Sequence, residues 1–173
     1  MTRWTAPAVT RVAGLGLAAE PELLPGLLDW HRSTLLLKCA GLSGDQLAQA
    51  PIAASNLTLL GLIRHLAKVE RTWFRRVVGG ERIDPLYSTP QRPDADFEDV
   101  DPGRAEADYA RLLDEQEAAR RTLAGMPLDT PITLPDGDKF SLRLVVIHMI
   151  GEYARHNGHA DLIRQCVDGV TGA

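Results

Sequence analysis

The stretch HMIGEYARHNGHADLIR, residues 148–164, holds three of the chain's five histidines together with Glu152. At about 100° per residue of a helix, His159 lies about 20°, Glu152 about 40° and His156 about 80° from His148. Leu142, Val145, Met149, Ile163 and Cys166 interleave with them, while Gly151, Ala154, Gly158, Asp161 and Gln165 fall on the opposite side. The titratable groups therefore share the apolar face. An unpartnered polar group on a buried face costs about 1–3 kcal/mol and a charge more, so four of them require partners. His148 or His159 alone fits an ordinary core histidine whose ring N–H meets a carbonyl. Glu152 and His156 differ, because a spacing of four stacks them one turn apart. A carboxylate and an imidazole so placed either form a salt bridge or converge on one ion.

A third donor is available at His65, in LTLLGLIRHLAKVERTWFRRVV. On that helix Thr58, Leu62, Val69 and Trp73 fall within about 80° of His65, and Arg64, Lys68, Arg71 and Arg75 take the other side. One imidazole from this helix and an acid–imidazole pair from another is how helical bundles build metal sites in their cores. Two histidines and one acid leave coordination positions open, as catalytic zinc or a facial iron site requires. A structural zinc would want four closed ligands, usually with cysteine. Glu70 and Tyr153, near 140° on their wheels, read as rim groups or half-buried boundary residues.

Four long segments must position these groups. Leu23, Leu24, Leu27, Leu28, Leu35 and Leu36 give Pro21–Ala40 helical spacing, with Gly41 to stop it. The second helix is predicted over Leu57–Val78, capped by Ser55 or Asn56 and ended by Gly79-Gly80. The third is predicted over Pro102–Ala124, with Asp101 as cap and Pro102 in the first turn. The fourth covers Leu142–Val167 after Ser141. Strand signals are confined to PITLPDGDKFSL, where Pro-Asp-Gly suits a hairpin turn. Residues 1–20 read as an irregular arm. The connection from Gly79 to Asp101 is longer than the two to eight residues usual between antiparallel neighbours, which predicts a crossover along the bundle and either a solvated loop or a lid over the site.

With 173 residues, 45% hydrophobic and 24% charged, the chain suits one globular domain spanning residues 1–173. No apolar run is long enough to cross a membrane, and Arg11 interrupts the only short apolar stretch near the start. A cytoplasmic protein is expected. Cys39 and Cys166 form no C-x-x-C motif, so buried free thiols are expected rather than a disulfide. A net charge of −4 without a basic run argues against nucleic acid as a partner.

TLLGLIRHLAKVERTWF followed by SLRLVVIHMIGEYARHNGHADLIR resembles the DinB-like superfamily, in particular its actinobacterial branch related to mycothiol-dependent maleylpyruvate isomerase and other thiol S-transferases. The resemblance runs from about Pro21 to Gln165. It implies an all-α four-helix bundle of up-down-down-up topology, with the long crossover between helices two and three, and a divalent metal held by three side chains. His65 matches the helix-two histidine, Glu152 the variable position of the last helix and His156 its final histidine. Relatives often continue the final histidine as H-x-G-Q, whereas this chain has His159 at the glutamine position. His159 is thus expected as an outer partner or alternative ligand. His148, one turn before Glu152, is the other outer candidate, and in place of Glu152 it would give a three-histidine site.

What the resemblance implies functionally is a metal-dependent thiol S-transferase or isomerase, with mycothiol favoured over bacillithiol and glutathione and a small-molecule electrophile as co-substrate. Zinc suits the donors first, and nickel, iron and manganese accept them too. Arg32, Arg155 and Arg164 are candidates for attracting an anionic substrate. Two other classes stay open. One is a bundle that binds metal or ligand without turnover. The other is a metal-dependent hydrolase with His159 or Glu70 as general base. Pairing of two copies through a helix face is left open as well.

Overall fold

The computed structural model describes residues 4–12, 16–134 and 136–171. Leucine periodicity and capping chemistry account for most of its elements. Helix α1, Glu20–Cys39, starts with Glu20 and Glu22 in the first turn and ends with Lys38 in the last, complementing the helix dipole. Gly41 follows at φ 77°, the left-handed conformation that terminates helices. A one-turn helix α2, Gly44–Leu47, is closed by a reciprocal capping box between Ser43 and Gln46.

Helix α3, Leu59–Glu70, is capped by Thr58, whose Oγ1 accepts from Gly61 N at 2.8 Å. Neither Ser55 nor Asn56 caps it, because Ser55 Oγ accepts from Leu57 N instead. The helix continues as a wider π-helix over Arg71–Val78. The crossover that follows contains one short helix, α4, Ala95–Glu98. A 3-10 turn at Pro102–Arg104, capped by Asp101, leads into α5, Ala105–Leu123. The expected hairpin forms from β1, Pro131–Thr133, and β2, Lys139–Ser141, paired antiparallel with Ile132 opposite Phe140. Pro135 of its turn lies outside the described residues. Ser141 caps α6, Leu142–Asp168, which ends at Gly169 with φ 78°.

The chain is thus predominantly helical, and its four long helices share one core. Leu28 and Leu35 of α1, Leu62 and Leu66 of α3, Leu112 of α5 and Val146, Met149 and Tyr153 of α6 are buried in it. Each buried leucine contributes about 1.5–3 kcal/mol. The irregular arm is pinned to this core where Ala6 N donates to Leu42 O and Gly41 N to Ala6 O, with Trp4 edge-on to Tyr109. Residues 1–3 and 13–15 of the expected arm lie outside the described residues.

Polar pairs run between the helices. Arg143 of α6 meets Glu20 of α1, Asn157 meets His31, and Asp161 pairs with Lys38. Arg64 of α3 meets Asp108 of α5 at 3.2 Å, and Arg71 and Arg75 share Glu115. The basic side of this helix, opposite His65, is therefore covered by α5 and the crossover. Arg64 is buried because Asp108 and two backbone carbonyls replace its water.

No helix among the described residues is long and apolar enough to cross a membrane. Cys39 is buried and Cys166 is exposed, so only the first fits the expectation of buried thiols.

Candidate metal centre

The centre is assembled from α3, α6 and the crossover. His65 on α3 faces Glu152 and His156 on α6, and one ligand atom from each lies within 4.8 Å of the other two. Glu152 Oε2 is 3.8 Å from His65 Nε2 and 3.7 Å from His156 Nε2. The two imidazoles approach to 4.6 Å between centroids. A tetrahedral ion with bonds of about 2.0–2.2 Å separates its ligand atoms by about 3.3–3.6 Å, so the two N···O gaps need close by only a few tenths of an ångström.

His65 carries the decisive detail. Its Nδ1 lies 2.8 Å from Asp96 Oδ2, which fixes the N–H there and leaves a lone pair on Nε2. That Nε2 is buried and has no hydrogen-bond partner. A buried ring nitrogen without a partner is costly, and two imidazoles with one carboxylate are the donor types a divalent ion takes. The residues fit the group.

Asp96 was not singled out by the sequence, where it sits in an acidic, proline-rich connection. It is wholly buried, held by Lys68 Nζ at 2.5 Å and by Ser88 Oγ at 3.0 Å. Burial alone would raise its carboxyl, but hydrogen bonds from His65 and Lys68, the Lys68 charge and the Ser88 hydroxyl outweigh it and hold the group ionised below the usual carboxylate range. Arg64 fastens the same segment by donating to Asp96 O and Ala95 O. Phe97 then stacks on His65 at 4.7 Å. Gly61 makes this approach feasible, since a Cβ there would lie 3.3 Å from the Phe97 ring. The crossover is a built wall of the site, not simply a solvated loop.

The outer histidines separate. His159 Nδ1 is 3.3 Å from His156 Nδ1, so one of the two nitrogens donates. With His156 Nε2 turned to the cluster, its Nδ1–H is the donor. Burial, the neighbouring His65, His159 and Arg155 push His156 down to about 4, against the opposing pull of Glu152. His156 is therefore neutral, as a ligand must be. His148 instead packs on Trp73 at 4.7 Å and is exposed. It joins neither the cluster nor its hydrogen bonds.

Other expectations shift with burial. Glu70 and Tyr153, read as rim or boundary groups, are both fully buried. Arg32 donates to both Glu70 oxygens at 2.7 Å, Tyr153 OH donates to Glu70 Oε1 at 2.8 Å, and Gln116 donates to Tyr153 OH. Helix α6 packs on α1 as well as α3, so its buried stripe widens to include Tyr153 and leaves His148 and Cys166 outside. Arg164 is spent on Lys38 O and Ala40 O. Of the three arginines considered for substrate attraction, Arg155 alone stands at the centre, 3.1 Å from Glu152 Oε1.

The family model for mycothiol-S-transferases matches residues 23–169, most of the chain and all three converging side chains. The chain belongs to the mycothiol-S-transferase family. Membership in this family implies a thiol substrate. No curated protein and no solved structure matches the chain.

Proposed function

We propose that this chain is a metal-dependent S-transferase or isomerase that activates mycothiol at His65, Glu152 and His156. The observation that carries the reading is the buried, unpartnered Nε2 of His65 beside a carboxylate and a second imidazole. A divalent cation bound there lowers a thiol's pKa enough to make it a thiolate at neutral pH. His65 and His156 would hold it with Nε2 and Glu152 with Oε2. Asp96 and His159 orient the two imidazoles through their Nδ1 atoms. The sulfur forms a bond to the electrophilic carbon. A leaving group departs with its electron pair, or, for a conjugated alkene, the adjacent carbon takes up a proton equivalent to the one the thiol lost. Neither Cys39 nor Cys166 takes part.

The helices support a single DinB-like domain of up-down-down-up topology. Along α1 and α6 the pairs Glu20–Arg143, His31–Asn157 and Lys38–Asp161 advance together. Along α3 and α5, Arg64–Asp108 and Arg71–Glu115 do the same. Between α3 and α6 the order reverses, with His65 opposite His156 and Trp73 opposite His148.

The hydrolase alternative loses one of its bases, because Glu70 is buried against Arg32 and Tyr153. The test is incubation with an electrophile and mycothiol, bacillithiol or glutathione, with and without a chelator, alongside elemental analysis of the protein. Chelator-sensitive, mycothiol-dependent consumption is expected. Metal uptake without consumption of any electrophile would favour the non-catalytic bundle, and loss of electrophile without thiol would favour the hydrolase.

A further inference from the structure

Beyond the metal centre, the same two helices meet a second time. Four residues before Glu152, about 6 Å along the helix, His148 stands against Trp73 of the π segment. Phe140 of β2 meets Trp73 edge-on at 6.1 Å. These three rings, with Leu144 and Val145, line a cavity of about 170 Å³. The order of residues keeps it in register with the centre, since Trp73 faces His148 on the same two helices on which His65 faces Glu152 and His156.

Its composition selects a ligand. None of the five lining side chains is a Lys, Arg, Asp or Glu, and His148 is the one titratable group. A hydroxyl-rich thiol such as mycothiol would lose water there and find few partners. A flat apolar group would gain ring contacts. An apolar cavity of about 150 Å³ accepts a benzene, so this volume suits one ring or a short conjugated system. Trp73 is only half-buried and Leu144 is 53% exposed, so the cleft is reached from solvent.

We propose that this cleft binds the aromatic or conjugated part of the electrophile, seating it against Trp73, Phe140 and Leu144 with its reactive carbon directed toward His65, Glu152 and His156. The proposal deepens the transferase reading, and its test separates the two. The probe is 1,3-dinitrobenzene, a flat ring without a leaving group, titrated calorimetrically into the metal-loaded protein. The variants are Leu144→Arg, at the exposed mouth, and Phe140→Ala, on the wall.

Leu144→Arg is expected to weaken binding of the ring about tenfold or more and to raise KM for 1-chloro-2,4-dinitrobenzene in parallel. Metal content and KM for mycothiol should stay as they were. His156→Ala should lose the ion yet still bind 1,3-dinitrobenzene. If the unaltered protein does not bind the ring, or if both cleft variants bind it as tightly as the unaltered protein, the assignment is overturned. A rise in KM for mycothiol alone would also overturn it, giving the cleft to the thiol. If ring binding responds as expected while no electrophile is ever consumed, the cleft stands and the transferase reading falls.

Discussion

His65 Nδ1 meets a carboxylate oxygen of Asp96 at 2.8 Å, across 31 positions of sequence. This contact joins the α3 histidine to the crossover, and its geometry sets which ring nitrogen is free. An acceptor at Nδ1 keeps the proton there and makes Nε2 the donor atom toward Glu152 and His156. Because Asp96 is buried and fastened by Lys68 and Ser88, the ring it holds has little freedom to turn away.

Replacing Asp96 by Asn removes the anionic acceptor while keeping its shape. Loss of such an outer partner typically costs about 10- to 100-fold in metal affinity, and that range is expected here. Competition with a chromophoric chelator measures it, with circular dichroism showing unchanged helix content. Unaltered affinity would mean that Asp96 serves only to anchor the loop.

His156→Ala should abolish metal binding and leave the protein folded, because the leucines of four helices, at about 1.5–3 kcal/mol each, supply the core. His148→Ala should keep full metal stoichiometry, since His148 packs on Trp73 rather than at the cluster. Elemental analysis of both variants, with thermal melting, decides the matter. Loss of the ion in His148→Ala would move the site toward the three-histidine arrangement.

The buried Arg32–Glu70 pair makes a separate claim about stability. Glu70→Ala leaves the buried Arg32 guanidinium with only the half-buried Asp29 carboxylate, 2.9 Å away, as partner, and breaking such a buried pair costs about 3–5 kcal/mol. Urea denaturation should show that loss. The double variant Arg32→Met/Glu70→Leu should recover a large part of it, because no buried charge then remains. A double variant as unstable as the sum of the single ones would contradict the coupling.

The two cysteines should react differently. Burial, opposed by the charge of Arg164, pushes the Cys39 thiol up to about 12, while Cys166 is exposed. A disulfide reagent at pH 8 should therefore titrate one thiol in the native protein and both after denaturation. The sign for stability follows. The unfolded thiol ionises near its ordinary 9.0 and the folded one only near 12, so deprotonation favours the unfolded chain and stability falls as pH rises through that window. Cys39→Ala should flatten this part of the alkaline profile.

The helices were legible in the sequence because their signals are local. The leucine spacing of α1, Asp101 with Pro102 before α5, Ser141 before α6 and the glycine at 41 act through residues a few positions apart. The same locality made Glu152 and His156 a pair, since one turn of helix sets their common direction whatever packs against it. The sequence misplaces the cap of α3 at Ser55 or Asn56, because Ser55 turns to Leu57 N and Thr58, which reads as part of the helix, takes the role.

Tertiary structure decided what stands opposite each face. A wheel centred on the histidines of α6 placed Tyr153 near the edge and His148 inside, but packing on both α1 and α3 buries Tyr153 and leaves His148 against Trp73. Arg32, read as a candidate for substrate attraction, and Glu70, read as a rim or boundary group, become a buried pair only when α1 closes on α3. Asp96 gave no signal at all, since an acid in a proline-rich connection is ordinarily solvated. It reaches His65 because Arg64 and Lys68 fold the crossover onto α3. The sequence by itself determined the donor types and their spacing on each helix. Only packing and loop closure, which depend on residues far apart in the chain, determined which donors share a volume and which nitrogen of His65 faces it.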